Sequence, residues 1–279
     1  MTTTLRPERP EEPAPGGGRS RRWQICVNGR PVGALRTTAL RRGDEWWGEI
    51  SELVVSEGRR RGRATVGVLA AEEVLRGWDC TRVDVNVPVA AVPALRLAEM
   101  LGYTERMRNM VKPLGQLPVL PSGLTVRPTE GEAYDRWRAA ARADYERDLR
   151  GSGLSAAQAA AKAEADNAHV LPQGARTPGV ALRTLLDPAG TPVGTLWVAL
   201  YQDVLPGGAT LAWVMTVEVD RAQRGHGYGR ALLLLAEREC LAAGVGELGL
   251  NVFSTNEVAI GLYTSLGYAV TNRILGKQL

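Results

Sequence analysis

Histidine is nearly missing from this chain. Of 279 residues only His169 and His226 carry an imidazole, and they lie far apart, which leaves little from which to build a metal centre. Cysteine is sparse too. Cys26, Cys80 and Cys240 are odd in number, widely spaced and set among apolar residues, so they read as small buried hydrophobes in a reducing compartment, not as a disulfide frame. No apolar run approaches the roughly 18 residues that a membrane helix needs, and MTTTLRPERPEEPAPGGGRSRR lacks the apolar core of a secretory signal. Zinc-finger, RRM and helix-turn-helix patterns are absent as well. A net charge of +4 and a pI near 9.1 therefore do not by themselves indicate nucleic acid, because a groove for a polyanionic ligand needs positive charge anyway. The expectation is a cytoplasmic protein without a metal, a membrane or a nucleic-acid partner, its oligomeric state left open.

What is present is an ordinary globular composition, 44% hydrophobic and long enough for one large domain or two modest ones. Residues 1–22 are rich in Pro, Gly and charge and read as largely flexible, apart from a short strand at Thr3–Arg6. Trp23–Val27, Asn28-Gly29 and Val32–Ala39 read as a hairpin, since Asn-Gly supplies the positive φ angles of a two-residue turn. A strand at Trp46–Val55 and the basic loop Gly58–Arg63 follow. Then come a helix over Ala64–Arg76, a strand Arg82–Val87, a helix Val92–Leu101 and a strand from Tyr103. Lys112–Gly123 reads as a linker. Beyond it, Thr129 and Glu132 have capping-box spacing before a helix with Ala133, Trp137, Ala140, Ala141 and Tyr145 on one face, and Ser155 and Gln158 open a second, alanine-rich helix to about Ala168.

The chain is organised around WVMTVEVDRAQRGHGYGRALLLL, Trp213–Leu235. A β-branched strand feeds a turn with Gly225, Gly227 and Gly229, and a leucine-rich helix opens near Tyr228. Glycines let backbone N–H groups approach an anion, and the helix N-terminus adds the positive end of its dipole. The local charge is unusual for a helix start: Arg224 precedes it and Arg230 sits in its first turn, where Ser, Asp or Glu would be ordinary. An external anion, phosphate above all, is expected to complete it. The spacing is not the G-x-G-x-x-G of a dinucleotide site, and no lysine makes a Walker loop.

The segment resembles the pyrophosphate loop of the GNAT family of acyl-CoA N-acyltransferases, R-x-x-G-x-G, here Arg224, Gly227 and Gly229. A second signature of that family follows in LNVFSTNEVAIGLYTSLGY, where Asn256, Ala259, Tyr263 and Gly267 fit N-x-x-A-x-x-x-Y-x-x-x-G. The resemblance covers about Thr125–Leu279. It implies an α+β fold with a mixed central sheet flanked by helices, acetyl-CoA as co-substrate and a primary amine as acceptor, most simply a small molecule. It also implies Arg224, Gly225, Gly227, Tyr228, Gly229, Arg230 and Asn256 at the cofactor, with backbone groups of Val217 and Val219 beside the pantetheine arm.

The first half repeats this order. NGRPVGAL at Asn28–Leu35 matches AGTPVGTL at Ala189–Leu196 in five of eight positions, and VNVPVAAVPALRLAEMLGY parallels LNVFSTNEVAIGLYTSLGY with Asn86 against Asn251 and Gly102-Tyr103 against Gly267-Tyr268. Two tandem GNAT-like modules are expected: a degenerate one over 1–113, a linker 114–123, and a catalytic one over 124–279. The first has Arg60-Arg61-Gly62-Arg63-Ala64-Thr65 where the second has its phosphate loop, and Ala91 and Ala98 where the second has Asn256 and Tyr263. It is also about forty residues shorter before the hairpin, where the second copy carries its acceptor-side helices.

Acyl transfer from a thioester to an amine needs a neutral amine and a proton for the thiolate. Strand alternation puts Thr216 and Glu218 on one face and Val217 and Val219 on the other. Glu218 can serve as the general base, or stand as a carboxylate paired with arginine at the cleft edge. Tyr263 occupies the position from which a family tyrosine protonates or hydrogen-bonds the CoA sulfur; packing alone would also account for it. Asn256 can cap its helix and touch the cofactor. Asn251 reads as structural, His226 as a solvated loop residue, and Arg59–Arg63 as a solvated turn. Asp144, Glu146 and Asp148 bear on the acceptor only if they attract a cationic amine. A non-catalytic acyl-CoA-binding module is the alternative, and the tandem arrangement also resembles that of mycothiol synthase, which would imply a thiol-sugar amine.

Overall fold

The computed structural model of the protein describes residues 3–42, 45–56, 62–151, 155–204 and 210–279. Its compact units do not follow the two linear halves. One comprises Met1–Met107, Asp148–Ala157 and Asn272–Leu279; the other comprises Arg108–Arg147 and Gln158–Thr271.

The first unit contains β1 (Thr3–Pro7), β2 (Glu12–Ala14), β3 (Gly18–Val27), β4 (Arg30–Arg42), β5 (Glu45–Val55), α1 (Arg63–Arg76), β6 (Cys80–Pro88), α2 (Val92–Met100) and the start of β7 (Thr104–Pro113). β1 is the strand expected at Thr3–Arg6, pairing antiparallel with β3 from Thr3↔Val27 to Pro7↔Trp23, and part of the segment expected to be flexible is also built into the sheet, with β2 pairing on β3. Arginines tie it down, Arg22 on Glu8 at 2.8 Å, Arg21 on Glu11 at 3.4 Å and Arg36 on Glu12 at 3.1 Å. The charged composition that suggested mobility supplies these ion pairs. Asn28 and Gly29 turn the β3–β4 hairpin at φ 48° and 81°. Strand order is β1-β3-β4-β5-β6 and then the end of the chain's last strand, whose Asn272–Gln278 pair antiparallel with Pro88–Arg82. The core holds Ile25, Leu35, Leu75, Val83 and Leu275. Gly58–Arg61, most of the basic loop, lie outside the described residues.

In the second unit the end of β7 is followed by β8 (Thr125–Pro128), α3 (Gly131–Gly151) and α4 (Ala156–Val170) apart from Asp148–Ala157, β9 (Val180–Leu186), β10 (Pro192–Val204), β11 (Thr210–Val219), α5 (Tyr228–Ala242), β12 (Glu247–Phe253), α6 (Glu257–Ser265) and the start of β13 (Ala269–Gln278). Strand order is β7-β12-β11-β10-β9-β8. Its core joins Leu196, Val198, Leu232, Leu233, Leu248 and Leu250 with Met110 of β7. Segment 114–124 is a connection held in place: Leu114, Leu120 and Leu124 pack on this core, Leu114 N–H donates to Gly246 O at 2.8 Å and Arg238 Nη1 donates to Pro118 O at 3.0 Å.

Two details of α3 differ from the sequence reading. The Thr129–Glu132 capping box does not form: the Thr129 hydroxyl lies 2.7 Å from that of Thr184, the backbone turn is made by Glu130 O, and Glu132 pairs with Arg136 at 3.5 Å. Tyr134 and Trp137 of α3 are buried against Trp197, Leu171 and Leu182, whereas Ala140, Ala141 and Tyr145 are exposed. The aromatic pair outweighs the alanine stripe because it buries far more apolar area. In α4, which begins directly after Ser155, the alanines Ala159 and Ala163 are buried.

Candidate active site

The cleft exists because two parallel strands part. β11 and β12 are in register only from Leu211↔Glu247 to Trp213↔Gly249; past that point Val214–Val219 and Leu250–Phe253 diverge. Backbone groups freed by such a splay need other partners. The register with β10 sets the faces: Leu196 is opposite Val217 towards the apolar core, while Thr195 is opposite Glu218 and Trp197 opposite Thr216 on the other side. Glu218 is exposed there.

Below the splay, the chain turns through Gly225 (φ 85°) and Gly227 (φ 82°) into α5. Gly227 is the N-cap in a left-handed conformation; no side chain caps the helix, and its first turn holds no acidic residue. Open space surrounds the positions where side chains would stand on Gly225 and Gly227, whereas a Cβ on Gly229 would come within 3.3 Å of Leu262 Cδ2. The first two glycines therefore serve the left-handed backbone conformation and leave the N-terminus of α5 uncovered, and the third lets α5 approach α6. Arg224 Nε lies 3.4 Å from Val219 O, and Arg230 Nη2 donates to Ser265 Oγ at 2.6 Å. Ser265 in turn donates to Leu262 O at 2.7 Å, so the first turn of α5 is tied to the end of α6.

α6 is capped by Asn256, whose Oδ1 accepts from Ala259 N at 3.1 Å. This places Tyr263 in the cleft, buried, with its ring 6.2 Å from that of Tyr268. Burial pushes the Tyr263 phenol above its ordinary pKa, which keeps it protonated. All eleven residues singled out from sequence, Val217, Glu218, Val219, Arg224, Gly225, Gly227, Tyr228, Gly229, Arg230, Asn256 and Tyr263, line one cavity of about 550 Å³. Gln223, Val258, Ala259 and Leu262 complete the lining. Sequence reasoning missed Ser265, although it stands inside the second signature between Tyr263 and Gly267.

Other candidates fall elsewhere. His226 stacks on Tyr228 at 5.9 Å with Nδ1 3.2 Å from Gln223 O, outside that lining. Asn251 donates to Asn109 Oδ1 at 2.9 Å, a structural bond between strands. Asp144 and Glu146 are paired within α3, with Arg147 at 2.9 Å and Arg142 at 2.6 Å; the side chains of Asp148 and His169 lie outside the described residues. Among the described residues no group of three or more His, Cys, Asp or Glu is placed to hold a metal ion, and no helix is long and apolar enough to cross a membrane.

The first unit has the same splay without the same side chains. β5 and β6 are in register from Trp46↔Cys80 to Glu49↔Asp84 and then part. A Cβ on Gly33 would lie 2.3 Å from Val54 O, and one on Gly194 would lie 2.4 Å from Glu218 O, so Val54 stands where the second unit has Glu218. Gly62 is the left-handed N-cap of α1 at φ 70°, as Gly227 is of α5. The sequence comparison of the loops is thereby corrected by one residue. Gly62 matches Gly227 and Ala64 matches Gly229, so one loop glycine is kept. Around Ala91 and Ala98 lies a mostly apolar cavity of about 290 Å³.

This geometry agrees with what the chain resembles. The sequence profile of the acetyltransferase (GNAT) family matches it twice, over residues 4–103 and 141–268. A mycothiol acetyltransferase of Thermobispora bispora is 31% identical over 78% of this chain and 71% of its own length; one of Frankia alni is 31% identical over 80% and 68%. Among solved structures, a GCN5-related N-acetyltransferase from Sphaerobacter thermophilus shares the fold with a TM-score of 0.61 at 21% identity, covering 92% of this chain and 80% of that one. A tandem GNAT protein from the clavulanic acid biosynthesis pathway does so with 0.58 at 20%, covering 95% and 85%. The chain belongs to the acetyltransferase (GNAT) family, as a tandem member with two copies of the fold. Acetyl-CoA is the co-substrate of that family.

Proposed function

We propose that the chain is an acetyl-CoA-dependent N-acetyltransferase whose second copy, residues 124–279 after the 114–123 connection, carries out the reaction and whose first copy, 1–113, is non-catalytic. The observation that carries this reading is the convergence of Glu218, Tyr263 and the uncapped N-terminus of α5 on one cleft. Backbone N–H groups at Gly225–Gly229, with Arg224 and Arg230, suit a pyrophosphate. The splayed edges of Val217 and Val219 suit the amide-bearing arm that follows it. Acetyl-CoA supplies the activated thioester there.

Glu218 accepts a proton from the acceptor amine, directly or through one water, as the nitrogen attacks the thioester carbonyl. The C–S bond then breaks and Tyr263 donates its proton to the departing thiolate. A phenol held protonated by burial is suited to that donation. In the first unit Val54, Ala91 and Ala98 offer neither base, cap nor acid. The acceptor is a small-molecule amine, for which the paired state of Asp144 and Glu146 leaves no carboxylate offered on α3 by those two residues. A thiol-sugar amine is favoured within that class by relatives named mycothiol acetyltransferase that cover most of the chain. The three free, buried cysteines suit a reducing compartment, and action in the cytoplasm is part of the proposal.

Calorimetric titration of acetyl-CoA tests the binding half of this reading. One site, lost in Gly227→Glu, is expected; two sites would show that the first unit also binds, and none in a folded sample would remove the acetyltransferase reading of this cleft. Transfer to a panel of amino sugars and thiol-bearing amines then identifies the acceptor.

A further inference from the structure

Each unit buries one carboxylate under its sheet beside a lysine and a tyrosine, although only the first tyrosine's hydroxyl is hydrogen-bonded, that of Tyr268 being buried without a partner among the described residues. In the first, Glu72 of α1 accepts from Lys277 Nζ at 2.9 and 3.1 Å and from Tyr103 OH at 3.0 Å, and Lys277 sits 5.6 Å from the Tyr103 ring. In the second, Glu237 of α5 accepts from Lys112 Nζ at 2.7 Å, and Lys112 sits 5.7 Å from the Tyr268 ring. Glu72 and Glu237 are 1% and 3% exposed, so each needs its cation. The same interval separates Glu72 from Glu237, Tyr103 from Tyr268 and Lys112 from Lys277. The lysines, however, are exchanged: the strand ending the first copy supplies the cation of the second unit, and the strand ending the second copy supplies that of the first.

What rests on the two sets differs. The neighbour of Tyr268 is Tyr263, with ring centroids 6.2 Å apart and the Tyr268 N–H donating to Tyr263 O at 3.1 Å. In the first unit, Ala98 takes the place of Tyr263, and its carbonyl accepts from Tyr103 N–H at 3.0 Å. We infer that Lys112 is a positioning residue for the reaction: by neutralising Glu237 beneath Tyr268, it holds the surface on which the Tyr263 ring rests, so the non-catalytic copy acts in the reaction through its last strand. This inference rests on Tyr263 being the acid, and the first unit provides a matched control.

The experiment compares Lys112→Met, Lys277→Met and Tyr263→Phe in the full chain, at a temperature where circular dichroism shows each folded. CoA thiol release from acetyl-CoA is measured with glucosamine as the amine probe, and with water as the acceptor where glucosamine is inert. Lys112→Met is expected to lower kcat about tenfold with KM for acetyl-CoA within twofold. Lys277→Met is expected to lower the thermal midpoint comparably yet leave kcat within twofold. Lys112→Arg, which keeps the cation, is expected to recover most of the rate. Equal effects of the two methionine variants on kcat, or none from Lys112→Met, would overturn the proposal. If Tyr263→Phe is impaired and Lys112→Met is not, positioning alone fails; an unchanged rate in Tyr263→Phe removes the acid and this inference with it. Should Lys112→Met not fold, the neutral pair Lys112→Met with Glu237→Gln replaces it: with no charge left beneath Tyr268, kcat within twofold of the parent chain is expected, and a tenfold loss would overturn the proposal.

Discussion

At Tyr263 and Ala98 the two copies of one helix make opposite choices. The tyrosine fills its end of the cleft with a phenol that burial keeps protonated; the alanine leaves an apolar cavity. Tyr263→Phe should therefore keep acetyl-CoA binding and lower kcat by about 10²-fold, the usual contribution of a positioned acid, in steady-state assays that separate kcat from KM. Because its pKa lies above the ordinary value for tyrosine, about 10, Tyr263 should cause no loss of rate as pH rises to about 9.5; a fall below that pH that disappears in Tyr263→Phe would contradict its raised pKa. That Tyr263 and Ala98 occupy matching places was legible in the sequence, because the internal repeat aligns them. Val54 was not, since only the strand register shows that it replaces Glu218.

The sheet itself constrains the elements. Gly194 leaves no space for a Cβ because Glu218 O would stand 2.4 Å from it, and the same is true of Gly33 and Val54 O at 2.3 Å. Alanine at either position should push two strands apart and destabilise by about 1–3 kcal/mol, the range for overpacking. The strand displaced by Gly194→Ala carries the proposed base, so this variant should also lose activity per folded molecule, whereas Gly33→Ala should lose stability alone; thermal unfolding beside acetyl transfer separates the two. The strands and helices near the motifs were legible from alternation and glycine turns. Beyond Thr3–Arg6 the N-terminal strands were not, because a Pro-, Gly- and Arg-rich composition describes a free chain equally well until Glu8, Glu11 and Glu12 are seen facing Arg22, Arg21 and Arg36. Helix α3 misled for a related reason: several faces of an alanine-rich helix look apolar, and the sheet selects the one bearing Tyr134 and Trp137.

Alkaline pH acts on both units at once. Burial raises Cys240 from about 9 to about 12 and Cys80 from about 9 to about 11, and it raises the Tyr103 and Tyr268 phenols as well. Each folded site prefers the neutral form that the unfolded chain gives up sooner. The stability this provides is fully present below about pH 9 and is lost as pH rises through the folded values. A thermal midpoint that is flat from pH 7 to 8.5 and falls steadily above 9 is expected. Its decline should be shallower in Cys240→Ala than in the parent chain, though from a lower start because the Cys240 side chain is packed in the core.

Connectivity at the scale of the whole chain is where the sequence is silent for a definite reason. Both copies carry the same Glu, Tyr and Lys at the same interval, so a last strand returning to its own copy and one exchanged with the other satisfy the same local rules. The folded chain takes the exchange: Lys112, Met110 and Asn109 serve the second unit, and Lys277 and Leu275 the first. A fragment 124–279 would thus lose the cation of Glu237, and an unpaired buried carboxylate costs about 3–5 kcal/mol, a large share of the roughly 5–15 kcal/mol that holds a typical domain folded. The fragment should not fold alone. Cutting the intact protein is the sharper test, because nothing is removed. Leu117 and Val119 are 60% and 86% exposed, so a protease site placed between them is accessible. After cleavage, residues 1–118 and 119–279 should elute together in size-exclusion chromatography, keep acetyl-CoA binding, and part only in denaturant. Fragments that separate under native conditions, with the larger still folded, would mean that the strand exchange does not hold the two copies together.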